Sequence, residues 1–137
     1  MSFTSIVKEE TARLETTKLE NISELSSIIR ISSVINKDIN ITVESNIVAR
    51  RIFKLIKTTY GISPKITVRN KKLGKGFTYM LNIKTKTKEI LDDLSILEDN
   101  KYLSIPKEYI ISDEEQLRAY LRGVFLVSGS VNDPKTS

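Results

Sequence analysis

Hydrophobic and polar positions divide the chain into nine predicted stretches. Phe3, Ile6, Val7, Ala12 and Leu14 form a broken apolar stripe among charges, which predicts a helix over 3–19. A second helix, "ELSSIIRISSVI", is expected from about Glu24, with Asn21 or Ser23 as its cap. Its Leu25, Ile28, Ile29 and Ser32 share one face. After the turn "NKD", the segment "INITVE" alternates Ile39, Ile41 and Val43 with polar residues, the period of a half-buried strand. "SNIVARRIFKLIKTTYG" is the clearest helix, capped by Ser45 or Asn46 and ended by Gly61. Val48, Ile52, Leu55 and Ile56 make its buried stripe, with Arg50, Arg51, Lys54 and Lys57 on the remaining surface.

"PKITVRN" and "FTYMLNIK" read as two strands joined by the hairpin loop "KKLGKG". "TKEILDDLSIL" returns to helical spacing, "NKYLSIP" is a loop, and Ser112 with Glu115 forms a capping box for a last helix from Asp113 to Ser128. This order gives an α+β fold: a small antiparallel or mixed sheet of three strands with helices packed on one face.

Composition narrows the chemistry. The chain has neither cysteine nor histidine, so thiolate chemistry, cysteine zinc sites and the usual general base are excluded. No cofactor, metal or small-molecule substrate is expected. No stretch approaches the roughly 20 apolar residues that span a bilayer. "MSFTSIVKEETARLE" suits neither a signal nor a transit peptide, so no membrane partner and a cytoplasmic location are expected.

Charge changes the picture more. Twelve of the 22 bases fall between Arg50 and Lys88, a stretch with no Asp or Glu, while the flanks hold all 17 acids. Such segregation marks a polyanion-binding face. Strand parity puts Lys65, Thr67 and Arg69 on one face and Ile66 and Val68 on the other. In the partner strand Thr78, Met80, Asn82 and Lys84 oppose Phe77, Tyr79, Leu81 and Ile83. Lys71, Lys72 and Lys75 sit at the hairpin tip and Lys86 just beyond the second strand. Arg69 and Asn82 have the chemistry to read base edges, and the lysines to contact phosphate. "KKLGKG" lacks the spacing of a phosphate-binding glycine loop.

The last helix has an upstream twin. "LSSIIRISSVI" (25–35) overlies "LRGVFLVSGSV" (121–131) at an offset of 96, pairing Leu25 with Leu121, Ile28 with Val124, Ile29 with Phe125 and Ser32 with Ser128. Small residues recur in both copies and suit close helix contact. These eight residues are the expected packing ridge between two pseudo-symmetric helices. Residues 1–111 then hold an N-terminal helix and a first repeat, and 112–137 open a second that stops early.

"LRAYLRGVFLVSGSVNDP", with "SFTSIVKEETARLE" and "ELSSIIRISSVI", resembles the N-terminal part of the bacterial WhiA family. The resemblance implies a LAGLIDADG homing-endonuclease-like fold in a DNA-binding regulator of transcription, linked to sporulation, cell division and chromosome segregation. In that family a helix-turn-helix domain comes after this one, and none is expected in this chain. The resemblance also implies a sheet that lies on duplex DNA, at the nucleoid. In the endonucleases the motif's eighth position is an acid that holds divalent metal. Here the eighth positions are Ser32 and Ser128, and the sixth are Arg30 and Leu126, so no catalytic residue and no cleavage are expected. The alternative is a protein-interaction or scaffold domain whose basic face meets an acidic partner. A homodimer through the repeat-interface helices is a further expectation.

Overall fold

The computed structural model describes residues 16–70 and 76–128. The helix expected over 3–19 lies almost wholly outside the described residues, as do Lys71, Lys72 and Lys75. Helix α1 spans Lys18–Ser32, six residues earlier than its apolar spacing suggested. Thr17, rather than Asn21 or Ser23, caps it: its side chain accepts from the Glu20 backbone N–H, and Glu20 accepts from the Thr17 N–H at 3.0 Å. Those Thr17 donors, backbone first and hydroxyl second, hold the Glu20 carboxyl below its usual range.

The helix also ends sooner than expected. Ser33 turns extended, and Ser33–Ile35 becomes strand β1, paired antiparallel with β2 (Ile39–Val43). β-branched Val34 and Ile35 gain cross-strand partners here that a longer helix would deny them. A turn at 36–38 makes the pairing possible: Asn36 N–H donates to the Asp38 carbonyl, and the Asp38 N–H to Asn36 Oδ1. Helix α2 (Asn46–Tyr60) comes next, capped by Ser45 and ended by Gly61 at φ 71°. Strands β3 (Lys65–Asn70) and β4 (Phe77–Ile83) complete an antiparallel sheet of order β1-β2-β4-β3, so the main sheet has four strands rather than three.

Helix α3 is a short segment, Thr87–Asp93, not a helix to Leu97. Ser95 has left-handed backbone geometry, and a ribbon of β5 (Leu97–Glu98) and β6 (Lys101–Tyr102) follows, from the end of the expected helix into the expected loop. Asp99 and Asn100 between them are both left-handed, the geometry of a tight hairpin turn. A 3₁₀ turn at Glu108–Ile110 leads to α4 (Glu114–Ser128). Its first turn is capped by Asp113, whose Oδ1 accepts from the Gln116 N–H at 2.7 Å, in place of the expected Ser112–Glu115 box.

The core lies between the sheet and helices α1 and α2. Leu25, Ile28 and Ile29 of α1 meet Ile52 and Ile56 of α2 over Ile39, Ile41, Leu81 and Ile83 of the sheet. β3 lies outside that cover: all six of its residues are exposed, Ile66 and Val68 included.

Candidate nucleic-acid interface

The sheet's outer face is built from cross-strand rows. Asn82 lies opposite Asn40 on one side and Lys65 on the other; Met80 lies between Thr42 and Thr67; Thr78 opposes Arg69. Antiparallel pairing puts directly opposed side chains on one face. Lys65, Thr67, Arg69, Met80, Asn82 and Lys84 therefore line one open concavity of about 290 Å³, together with Asp38 and Asn40. Lys86 is exposed at the foot of α3, outside that lining.

Asp38 and Asn40 are the residues that sequence reasoning missed. The acid-free segment begins at Arg50, and the turn at 36–38 brings a carboxylate from outside it onto the basic face. Asn82 Nδ2 donates to Asn40 Oδ1 at 2.7 Å and to Asp38 Oδ2 at 3.2 Å, while Asn82 Oδ1 is buried without a partner. Both Asn82 amide hydrogens are thus engaged by neighbours on the same face, which removes them from direct base reading. The signal was the Asn36–Asp38 spacing of a side-chain-closed turn.

On the helical side, α1 and α4 pack closely. A Cβ added at Gly123 would stand 2.0 Å from Ser27 Oγ and 2.6 Å from the Glu24 carbonyl. Ser27 and Gly123 are 96 residues apart, the offset of the two copies. The contact ridge on α4 is Gln116, Ala119, Gly123 and Leu126, not the expected one. Leu121 is 55% exposed, Val124 and Phe125 are half-buried and Ser128 is exposed, whereas their counterparts Leu25, Ile28 and Ile29 are fully buried and Ser32 half-buried. The ridge was misplaced because "LRGVFLVSGS" was aligned by its large residues, and closest approach falls on the smallest.

Charge is buried in this seam. Glu24, fully buried, accepts from Arg51 at 2.6 and 2.8 Å and from Arg122 Nε at 2.7 Å. Arg51, assigned to the surface from sequence, is buried with it. Arg30 reaches the carbonyls of Ser26, Ser95 and Leu103 and the hydroxyls of Ser26 and Tyr120, tying the ribbon loop to both helices. It borders a second hollow, of about 520 Å³, beside Ile29, Ile35, Ile96 and Leu103. At the feet of the helices Ser32 and Ser128 behave alike. Each donates its hydroxyl at 2.5 Å to the carbonyl four residues back, Ile28 and Val124. Among the described residues no three Asp or Glu come together as a metal site.

A sequence profile described as the WhiA N-terminal LAGLIDADG-like domain matches residues 18–97, and one described as the WhiA LAGLIDADG-like domain matches 117–137. The chain belongs to the WhiA family. The probable cell division protein WhiA of Macrococcus caseolyticus (strain JCSC5402) is 42% identical over 143 aligned positions, covering all of this chain and 45% of that protein. WhiA of Staphylococcus aureus (strain NCTC 8325 / PS 47), similarly described, is 41% identical, with 46% covered. The chain thus spans less than half the length of these relatives.

Two solved WhiA structures share the fold. The crystal structure of the N-terminal LAGLIDADG domain of DUF199/WhiA matches with a TM-score of 0.66 at 20% identity, over 98% of this chain and 62% of that one. Full-length DUF199/WhiA from Thermatoga maritima matches at 0.63 and 19%, over 93% and 39%. The fold is therefore the expected α+β, LAGLIDADG-like one. Among the described residues no helix is long and apolar enough to cross a membrane.

Proposed function

We propose that this chain is a non-catalytic DNA-binding domain of a WhiA-type cell division regulator, acting at the nucleoid in transcription, sporulation and chromosome segregation. The observation that carries the DNA reading is the convergence of Lys65, Arg69 and Lys84 with Thr67 on one uncovered sheet face. Cations on such a face release counterions from phosphate, so log affinity falls linearly with log salt. Lys71, Lys72, Lys75 and Lys86 are further DNA contacts in the proposal, from their places in the sequence. Residues 112–128 open a second repeat, for which the matched contact of Ser27 with Gly123 is support.

Cleavage has no support in the chain's own groups. Ser32 and Ser128 offer neutral hydroxyls already engaged with their own helices, and hard divalent cations need carboxylate oxygens. Fluorescence anisotropy of a labelled duplex, titrated over salt, tests the proposal. We expect a steep negative slope that becomes shallower by about two in the Arg69→Ala/Lys84→Ala variant, near 0.9 for each lost phosphate contact. An unchanged slope would remove this face from the site and favour the rival reading, in which an acidic protein meets it.

A further inference from the structure

We infer that Asp38, seated by Asn36 and Asn82, is a sequence-reading group that accepts a hydrogen bond from the exocyclic amino group of a base, with cytosine the preferred one. This rests on the DNA reading of the sheet face. A carboxylate is the wrong group for holding phosphate, yet one stands among Lys65, Arg69 and Lys84 in the same concavity. Among the described residues no ion pair joins it to any of those cations. Its negative charge is therefore not spent on neutralising a neighbour.

Its placement is determined on two sides. The Asp38 N–H is held by Asn36 Oδ1 at 2.9 Å, and one carboxylate oxygen accepts from Asn82 Nδ2. Asp38 cannot be a donor when ionised, so it fixes which way the Asn82 amide points. Asn82 passes its other amide hydrogen to Asn40 Oδ1, so the Asn40 amide nitrogen remains a donor in the same concavity. The concavity thus holds an acceptor and a donor, both half-buried, together with the three cations Lys65, Arg69 and Lys84.

The major groove presents that complement at a C·G pair, where the cytosine N4 donor stands next to the guanine O6 acceptor. Adenine offers N6 as a donor too, but acceptors flank it on both sides, N7 and the thymine O4, and both repel a carboxylate. Thymine offers the carboxylate no donor at all.

The test is selection from a randomised duplex library by the chain and by Asp38→Asn, an isosteric change that keeps an acceptor for Asn82. Wild type should enrich cytosine at one position by about tenfold, the scale of one good base contact. Asp38→Asn should flatten that position while binding random duplex more tightly, because a repelled charge is gone. Lys65→Ala should weaken all sequences alike and keep the cytosine preference. An identical motif from Asp38→Asn, or wild-type binding with no base preference, would overturn this inference alone. Failure of wild type to bind any duplex at low salt would overturn the DNA reading, and this inference with it.

Discussion

Helices α1 and α4 carry one pattern and live in different surroundings. Leu25 and Leu121 hold the same place in that pattern, yet Leu25 has no exposed surface and Leu121 is 55% exposed. Ile28 is sealed, while its counterpart Val124 is half-buried. The neighbours of the two helices make the difference. α1 runs into β1 and β2, and its large residues rest on that sheet. α4 meets α1 most closely at Gly123, its Leu126 reaches the core, and Leu117 and Leu121 stay exposed. A helix sequence alone therefore specifies two faces without saying which neighbour takes which: the closest helix contact falls on Gly123, while Leu25, Ile28 and Ile29 of α1 go to the sheet.

The strongest way to break this comparison is to remove what the two helices share. Glu24 sits under both Arg51 and Arg122, so one carboxylate ties α1 to α2 and α4. Glu24→Ala takes this carboxylate away from the buried Arg51 and the largely buried Arg122, at a cost of about 3–5 kcal/mol. Urea unfolding followed by circular dichroism reads this directly. A loss below about 1 kcal/mol would mean that water reaches the seam and that the helices are not held as described.

Leu25→Ala comes next. Deleting a fully buried leucine costs about 2–5 kcal/mol, the range set by how far the site collapses around the cavity. The same unfolding curves measure it, and a cost under about 1 kcal/mol would show that α1 does not rest on the sheet. Both effects are large against the roughly 5–15 kcal/mol that holds a domain of this kind together.

How much of this was legible beforehand depends on the range of the interaction. α2 was readable to its ends because Ser45, the apolar stripe and Gly61 are local signals that agree. β2, β3 and β4 were readable from alternation. The end of α1 was not, since Ser33–Ile35 fits a helix equally well until the turn at 36–38 brings Ile39–Ile41 alongside. The β5–β6 ribbon was missed although Asp99–Asn100 is a pair that tolerates left-handed geometry. Of the candidate face, parity placed Lys65, Thr67, Arg69 and Lys84 together, while Asp38 and Asn40 came from a segment outside the basic run. Arg51 looked like a surface cation because nothing in its own helix reveals Glu24, 27 residues earlier.

The smallest effect belongs to Leu121, and it decides the comparison most sharply. Leu117 is 42% exposed and stands one helical turn before Leu121, with Val124 one turn beyond, so α4 shows an apolar stripe on the side away from α1. Exposed positions of this kind change stability by about 0.5 kcal/mol or less when substituted. Leu121→Lys should leave the unfolding midpoint nearly where it was, although Leu25→Ala at the matching position lowers it severely. A second copy seated on the stripe would reverse that result. Leu121→Lys would then cost several times more, because a lysine in a buried contact must give up its hydration. The wild-type midpoint would also rise with protein concentration, since association stabilises only the folded chain. Measuring both variants at two concentrations about tenfold apart separates the cases. A silent Leu121→Lys and a concentration-independent midpoint mean that α4 meets α1 through Gly123 and leaves Leu117 and Leu121 in water.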